Sequence, residues 1–187
     1  MTVPPLFFMR AREENSRLRR WLLACLLTGL TILGARLSAP VPGTPIPITF
    51  QVFGVLLSGL LLGSRWGSVA MAQYLLLGWM GLPVFALGKS GFAPMFGLTG
   101  GYLWSYPLAA FVVGWLAERS GRSLRGQLLA CAAGLAVIYG LGCTWFALVS
   151  HQSFVTVLLQ GALVFLAWDV LKALAAVAAT RCRTRRG

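Results

Sequence analysis

The chain has 187 residues, 58% of them hydrophobic and only 11% charged, with a mean hydropathy of +0.78. Soluble domains carry about 25% charged residues, so this composition excludes an ordinary globular domain and points to an integral membrane protein. The net charge of +12 raises nucleic-acid binding, but the arginines sit in short clusters against apolar runs, which argues against nucleic acid and marks them as topology determinants.

Six apolar segments follow one another at roughly 21–38, 50–64, 67–83, 100–118, 126–148 and 157–180, each at or near spanning length. The first follows Arg10, Arg12, Arg17, Arg19 and Arg20. At about 18 residues it exceeds the 7–15 of a signal-peptide core, so it reads as a retained span despite the cleavage-like Leu37-Ser38-Ala39. Residues 39–49 hold Pro40, Pro42, Pro45 and Pro47 and are expected to form a stiff extended segment. The second and third segments are short and meet at Gly63-Ser64-Arg65-Trp66-Gly67, a tight connection. Residues 83–99 are apolar yet rich in Gly and Pro. Irregular apolar backbone beside a membrane must be buried in protein or line a cavity, so both loops read as walls or lids of an outer pocket.

Arg119, Arg122 and Arg125 separate the fourth and fifth segments, and Arg181, Arg183, Arg185 and Arg186 follow the sixth. The outer loops hold only Lys89, with Arg36 near the outer end of the first span. By the positive-inside rule both termini are cytoplasmic. The expected fold is therefore all-α: a basic segment at 1–20, a six-helix transmembrane domain at 21–180 and a basic tail at 181–187. Gly59/Gly63, Gly63/Gly67 and Gly97/Gly101 stand at helix-packing spacing, a weak signal in a glycine-rich chain.

Little here points to catalysis. Cys25, Cys131, Cys143 and Cys182 form no metal-binding spacing and read as free thiols. His151 lies in a loop beside Ser150 and Gln152, and no G-x-S-x-G is present. No ATPase motif occurs, so ATP energy would have to come from another subunit. The informative residues are in the last segment. Asp169 is the one acid within an apolar run, and Lys172 follows three residues later. A charge at mid-bilayer costs roughly 2.5–3.5 kcal/mol on insertion scales. On a helical wheel with Trp168 at 0°, Lys172 falls at about 40°, Phe165 at about 60° and Asp169 at about 100°. That arc should face the bundle. Two readings remain: an i,i+3 pair that neutralises itself and joins helices, or a polar-ligand site in which Asp169 accepts N–H bonds and Lys172 donates. Proton relay is a third.

Several motifs together resemble the BioY family. Pro45-Ile46-Pro47-Ile48-Thr49-Phe50-Gln51 resembles its P-V-P-x-T-x-Q segment; Tyr74-Leu75-Leu76-Leu77-Gly78 and Gly81-Leu82-Pro83-Val84-Phe85 continue in order. Gly97-Leu98-Thr99-Gly100-Gly101-Tyr102-Leu103 resembles G-P-T-G-G-Y-L, and Asp169-Val170-Leu171-Lys172 resembles D-x-x-K. The resemblance covers roughly 39–176. It implies a non-enzymatic biotin-uptake protein without a cofactor, the S component of an energy-coupling-factor transporter. The implied partners are a transmembrane coupling subunit and two cytoplasmic ATPases; a self-sufficient carrier is the alternative, and oligomerisation stays open. Biotin has a ureido group with two N–H donors and one carbonyl, an apolar body and a carboxylate tail. Asp169 suits a ureido N–H, and Lys172 the ureido oxygen or the carboxylate. Thr99, Gly100 and Gly101 would offer backbone N–H groups, with Thr49 and Gln51 at the mouth and Phe85, Tyr102 and Trp168 over the ring. Three departures stand out: Leu98 replaces the usual Pro, Lys89 falls in a typically Gly-rich stretch where it either meets the carboxylate or faces water, and the first helix carries only the small-residue pairs Ala24/Thr28 and Cys25/Gly29.

Overall fold

The computed structural model describes the backbone of residues 6–184 and the side chains of residues 17–182. Most of the basic segment expected at 1–20 and the end of the tail expected at 181–187 lie outside the described side chains. The first helix, α1, spans Leu6–Arg36. Among its described residues, those buried are Ala24, Leu27, Thr28, Thr31, Gly34 and Ala35, a spacing that marks one helical face. Leu22, Leu26 and Leu33 look outward. The two small-residue pairs therefore part company. Thr28 faces in and donates its hydroxyl to the Ala70 carbonyl at 2.8 Å, whereas Cys25 is exposed and nothing lies near the Gly29 α-carbon face.

The extended segment is a β-hairpin, the one departure from an all-α chain among the described residues. Strands β1 (Ser38–Val41) and β2 (Thr44–Thr49) pair antiparallel, with Ser38 opposite Thr49 and Ala39 opposite Ile48. Proline usually opposes strands because it lacks an N–H. Pro45 and Pro47 fall in the irregular stretch of the ladder, where residues 45–47 stand opposite Pro40 alone, so their missing donors cost no paired position.

Helix α2 runs Gln51–Trp79 and joins the second and third predicted segments. It is broken at Gly63, whose φ of 79° and ψ of −176° lie outside the helical region. The break is braced. Ser64 donates its N–H (3.2 Å) and hydroxyl (3.0 Å) to the Glu118 carboxylate, and Arg122 donates to the Leu60 carbonyl at 2.9 Å. An anion thus caps the start of the second half and a cation the end of the first, matching the helix dipoles.

After a turn at Ala86–Gly88 come a short helix α3 (Phe92–Phe96), α4 (Gly100–Arg119) and α5 (Leu124–Ser150). The Ser123 hydroxyl caps α5 by accepting from the Gly126 N–H at 3.1 Å. Helix α6 (Phe154–Leu158) passes through a π turn at Leu159–Leu163 into α7 (Val164–Thr184).

Among the described residues, four helical stretches are long and apolar enough to cross a membrane: Arg17–Arg36, Gln51–Trp79, Leu124–Ser150 and Phe154–Cys182. The distribution of polarity agrees. Large apolar side chains such as Leu26, Leu76, Leu129, Leu148 and Leu171 are exposed, while Thr28, Thr31, Ser58, Ser105, Gln127, Asp169 and Lys172 are buried. Water would penalise such an outer surface; hydrocarbon does not. The protein is a multi-pass membrane protein.

Candidate functional site

One cavity opens beneath the hairpin and the 82–99 loop. Its wall combines β2, the start of α2, the turn after Phe85, and one face each of α4, α5 and α7. Asp169 and Lys172 lie on it, 3% and 6% exposed. They touch: Lys172 Nζ is 2.6 Å from Asp169 Oδ1. The Tyr139 hydroxyl, from α5, donates to Oδ2 at 2.5 Å. Both carboxylate oxygens therefore accept a hydrogen bond, as a buried anion requires. Each oxygen keeps a second acceptor direction.

Around this trio the sequence-predicted residues divide. Thr49, Gln51, Phe85, Lys89, Thr99 and Tyr102 border the same cavity. Gln51 is buried and donates its amide to the Tyr74 hydroxyl, which in turn donates to the Val84 carbonyl at 3.1 Å. Thr49 Oγ1 accepts from the Gln51 N–H at 3.4 Å, so it caps α2 as well as lining the cavity. Phe85 is 1% exposed and meets the Tyr74 ring edge-on, centroids 5.5 Å apart. It fits only because residue 78 is glycine; a Cβ there would overlap the Phe85 ring. Lys89 is exposed at the rim.

Three predicted residues are not on the wall. Trp168 is 57% exposed on the outer side of α7. The buried set Phe165, Asp169, Lys172, Ala173, Ala176 and Val177 is centred near Asp169, about 100° around the helix from Trp168, so Trp168 is at the edge of the inward arc. Gly100 and Gly101 are buried against α5, where a Cβ on either would overlap neighbouring atoms, Met95 O for Gly100 and the Trp145 side chain for Gly101. Gly100 also commits its N–H to the Gly97 carbonyl at 3.0 Å.

The structure adds Tyr139 and Tyr106, together with Ile46, Ile138 and Gly161. Tyr106 stands four residues after Tyr102, on the same face of α4, a spacing that signals it once Tyr102 is placed. Tyr139 has no comparable signal, because its partner is on another helix. Gly161 belongs to the π turn, and its carbonyl accepts from the Tyr102 hydroxyl at 2.9 Å. That bond ties α4 to the segment carrying Asp169. Two rigid holds fix the loop above the cavity: Arg36 Nη2 donates to the Pro83 carbonyl at 2.6 Å, and the Leu87 N–H to Ser38 Oγ at 3.1 Å.

The arrangement has a buried end where a carboxylate, an ammonium and phenols meet, apolar walls of Ile46, Phe85, Ile138 and Phe165, and a single cation at an exposed rim. It suits an elongated ligand with a polar head that both donates and accepts, an apolar middle and an anionic tail.

Known proteins resemble the chain along nearly its whole length. A curated relative from Thermotoga maritima, "Biotin transporter BioY", is 46% identical over 67% of this chain and 72% of its own. One from Pyrococcus horikoshii, "Probable biotin transporter BioY", is 38% identical over 90% of this chain and 94% of its own. A solved structure, described as the S-component for biotin from an ECF-type ABC transporter, superposes with a TM-score of 0.86 at 27% identity, covering 92% of this chain and 94% of that one. The model of the BioY family matches residues 9–186, and this chain belongs to that family.

Proposed function

We propose that the chain is a biotin-binding membrane protein that takes up biotin as the S component of an energy-coupling-factor transporter. The observation that carries this reading is the polarity of the cavity. Biotin's ureido head needs an acceptor for its N–H groups and a donor for its carbonyl; Asp169 and Lys172 supply one of each at the buried end. Its bicyclic body and alkyl chain suit Phe85, Phe165, Ile46 and Ile138, and its carboxylate suits Lys89 at the rim. Head-first entry buries the neutral urea rather than the anion, which desolvation favours.

On this reading six helical rods cross the inner membrane: α1, the two halves of α2, α4, α5 and the α6–α7 rod. Both termini are cytoplasmic, next to Arg17, Arg65, Arg119, Arg122, Arg125 and Arg181. The Pro- and Gly-rich loops then face outward, where the vitamin arrives. Energy comes from partners, a transmembrane coupling subunit and two cytoplasmic ATPases.

Titration of the purified protein with biotin tests the binding claim. A ligand that binds the folded state raises apparent stability by RT ln(1 + [L]/Kd). Biotin should raise the melting temperature in a dose-dependent way, and Asp169→Asn should abolish most of that rise. No shift with the unsubstituted protein, confirmed by calorimetric titration, would overturn the assignment.

A further inference from the structure

The chain has four tyrosines, all near the cavity, and three commit their hydroxyls to the protein. Tyr74 donates to the Val84 carbonyl, Tyr102 to the Gly161 carbonyl and Tyr139 to Asp169. Tyr106 differs. It is 4% exposed and lines the cavity. Its ring is held against Tyr74, centroids 6.3 Å apart. Its hydroxyl has no hydrogen-bond partner among the described residues. The oxygen is not sealed within protein but opens on the cavity, so with no protein partner it is available to whatever occupies that space.

The neighbourhood defines the use. Tyr106 borders the same cavity as the Asp169 carboxylate. That carboxylate already accepts from Lys172 on one oxygen and from Tyr139 on the other. The Tyr106 O–H is thus a free donor on the cavity wall that also carries the Lys172 ammonium and a carboxylate that can still accept. A cyclic urea presents the complementary pattern, with one carbonyl oxygen that accepts two hydrogen bonds flanked by N–H groups that donate.

We propose that Tyr106 is a specificity residue that donates its hydroxyl to the carbonyl oxygen of the bound urea, beside Lys172, while Asp169 accepts from a urea N–H. The inference rests on the biotin reading and assigns which atom of the head each side chain reads. The ligand class is a cyclic urea with an acceptor at the carbonyl position. A site with a fixed donor there discriminates against an analogue that lacks the acceptor.

The test uses Tyr106→Phe in the full-length purified protein, which keeps the ring and removes the O–H. Biotin and 2-iminobiotin, whose carbonyl oxygen is replaced by a protonated imino donor, are titrated by calorimetry. The unliganded melting temperatures of both proteins serve as the control for folding. Tyr106→Phe should bind biotin about tenfold more weakly, and the preference for biotin over 2-iminobiotin should narrow by a similar factor. Equal biotin affinity in Tyr106→Phe and the unsubstituted protein overturns the assignment. So does an equal loss for both ligands, which would make Tyr106 a packing residue. Absence of biotin binding by the unsubstituted protein instead overturns the underlying functional reading, so the two failures are distinguishable.

Discussion

Two of the places where the bundle abandons regular helix are treated in opposite ways. At Gly63 the broken backbone is closed by protein groups: Glu118 receives the Ser64 N–H and hydroxyl, and Arg122 reaches the Leu60 carbonyl. At the other place, beneath the hairpin and the 82–99 loop, the loop itself is pinned by Arg36 and Ser38, yet polar groups are turned inward toward a cavity bordered by Asp169, Lys172 and Tyr106. Irregular backbone in a membrane protein must be satisfied somehow. Where the chain does it alone, the feature is architectural; where it holds polar groups around a cavity, the feature is a site.

This contrast predicts that substitutions at the cavity separate stability from binding, while those at Gly63 change stability alone. The largest effect belongs to Lys172→Met. It leaves the Asp169 carboxylate buried without its cation, a change that costs about 3–5 kcal/mol in buried pairs and should appear as a marked fall in the melting temperature of the detergent-purified protein. The double variant Asp169→Asn/Lys172→Met removes both charges and should recover most of that stability. It should not recover biotin binding, because neither the anionic acceptor nor the ammonium donor returns. A double variant with full biotin affinity would show that the pair only joins helices.

Gly63→Ala should have the next largest effect. Its φ of 79° with ψ of −176° is a region occupied essentially by glycine, and forcing another residue into it costs about 1–3 kcal/mol. The added Cβ also overlaps the Glu118 carboxylate. The melting temperature should fall while the biotin affinity of the folded fraction stays unchanged. A parallel fall in affinity would mean that the two ends are energetically coupled, and the contrast between them would not hold.

How far the sequence revealed this molecule follows from what each feature depends on. Spans come from apolar run length and the basic clusters from position, both local properties, so the helices lie close to their expected places. The Gly63 connection was legible as two short runs around a glycine. The hairpin was not, because Pro40, Pro42, Pro45 and Pro47 suppress the usual strand signal; only the register shows that Pro45 and Pro47 fall where the ladder is irregular. The π turn at Leu159–Leu163 has no mark in its composition. Within the site, residues tied to a motif or a helical face were placed beside the cavity, as Asp169, Lys172, Gln51 and Tyr102 were. Trp168 lies off the wall because it stands about 100° from the centre of the buried arc, and Gly100 and Gly101 lie off it because close helix packing, like close ligand approach, calls for glycine. Tyr139 was missed because its importance is a contact across helices, which one helix's periodicity cannot display.

The smallest predicted effect concerns the rim. Lys89 is exposed, so any attraction it exerts on a carboxylate is weakened by water and salt. Lys89→Ala should therefore weaken biotin binding only about two- to fivefold at low ionic strength, and less as salt is raised. Biotin amide, which keeps the head and loses the tail charge, sharpens the test. The unsubstituted protein should prefer biotin to the amide by that same factor, and Lys89→Ala should bind both alike. The two experiments must agree if one cation meets one carboxylate. If Lys89→Ala still prefers biotin strongly and independently of salt, the carboxylate is held by a buried charge. The remaining cation on the cavity wall is Lys172, so the ligand would then lie tail-inward and the orientation argued for the urea would be reversed.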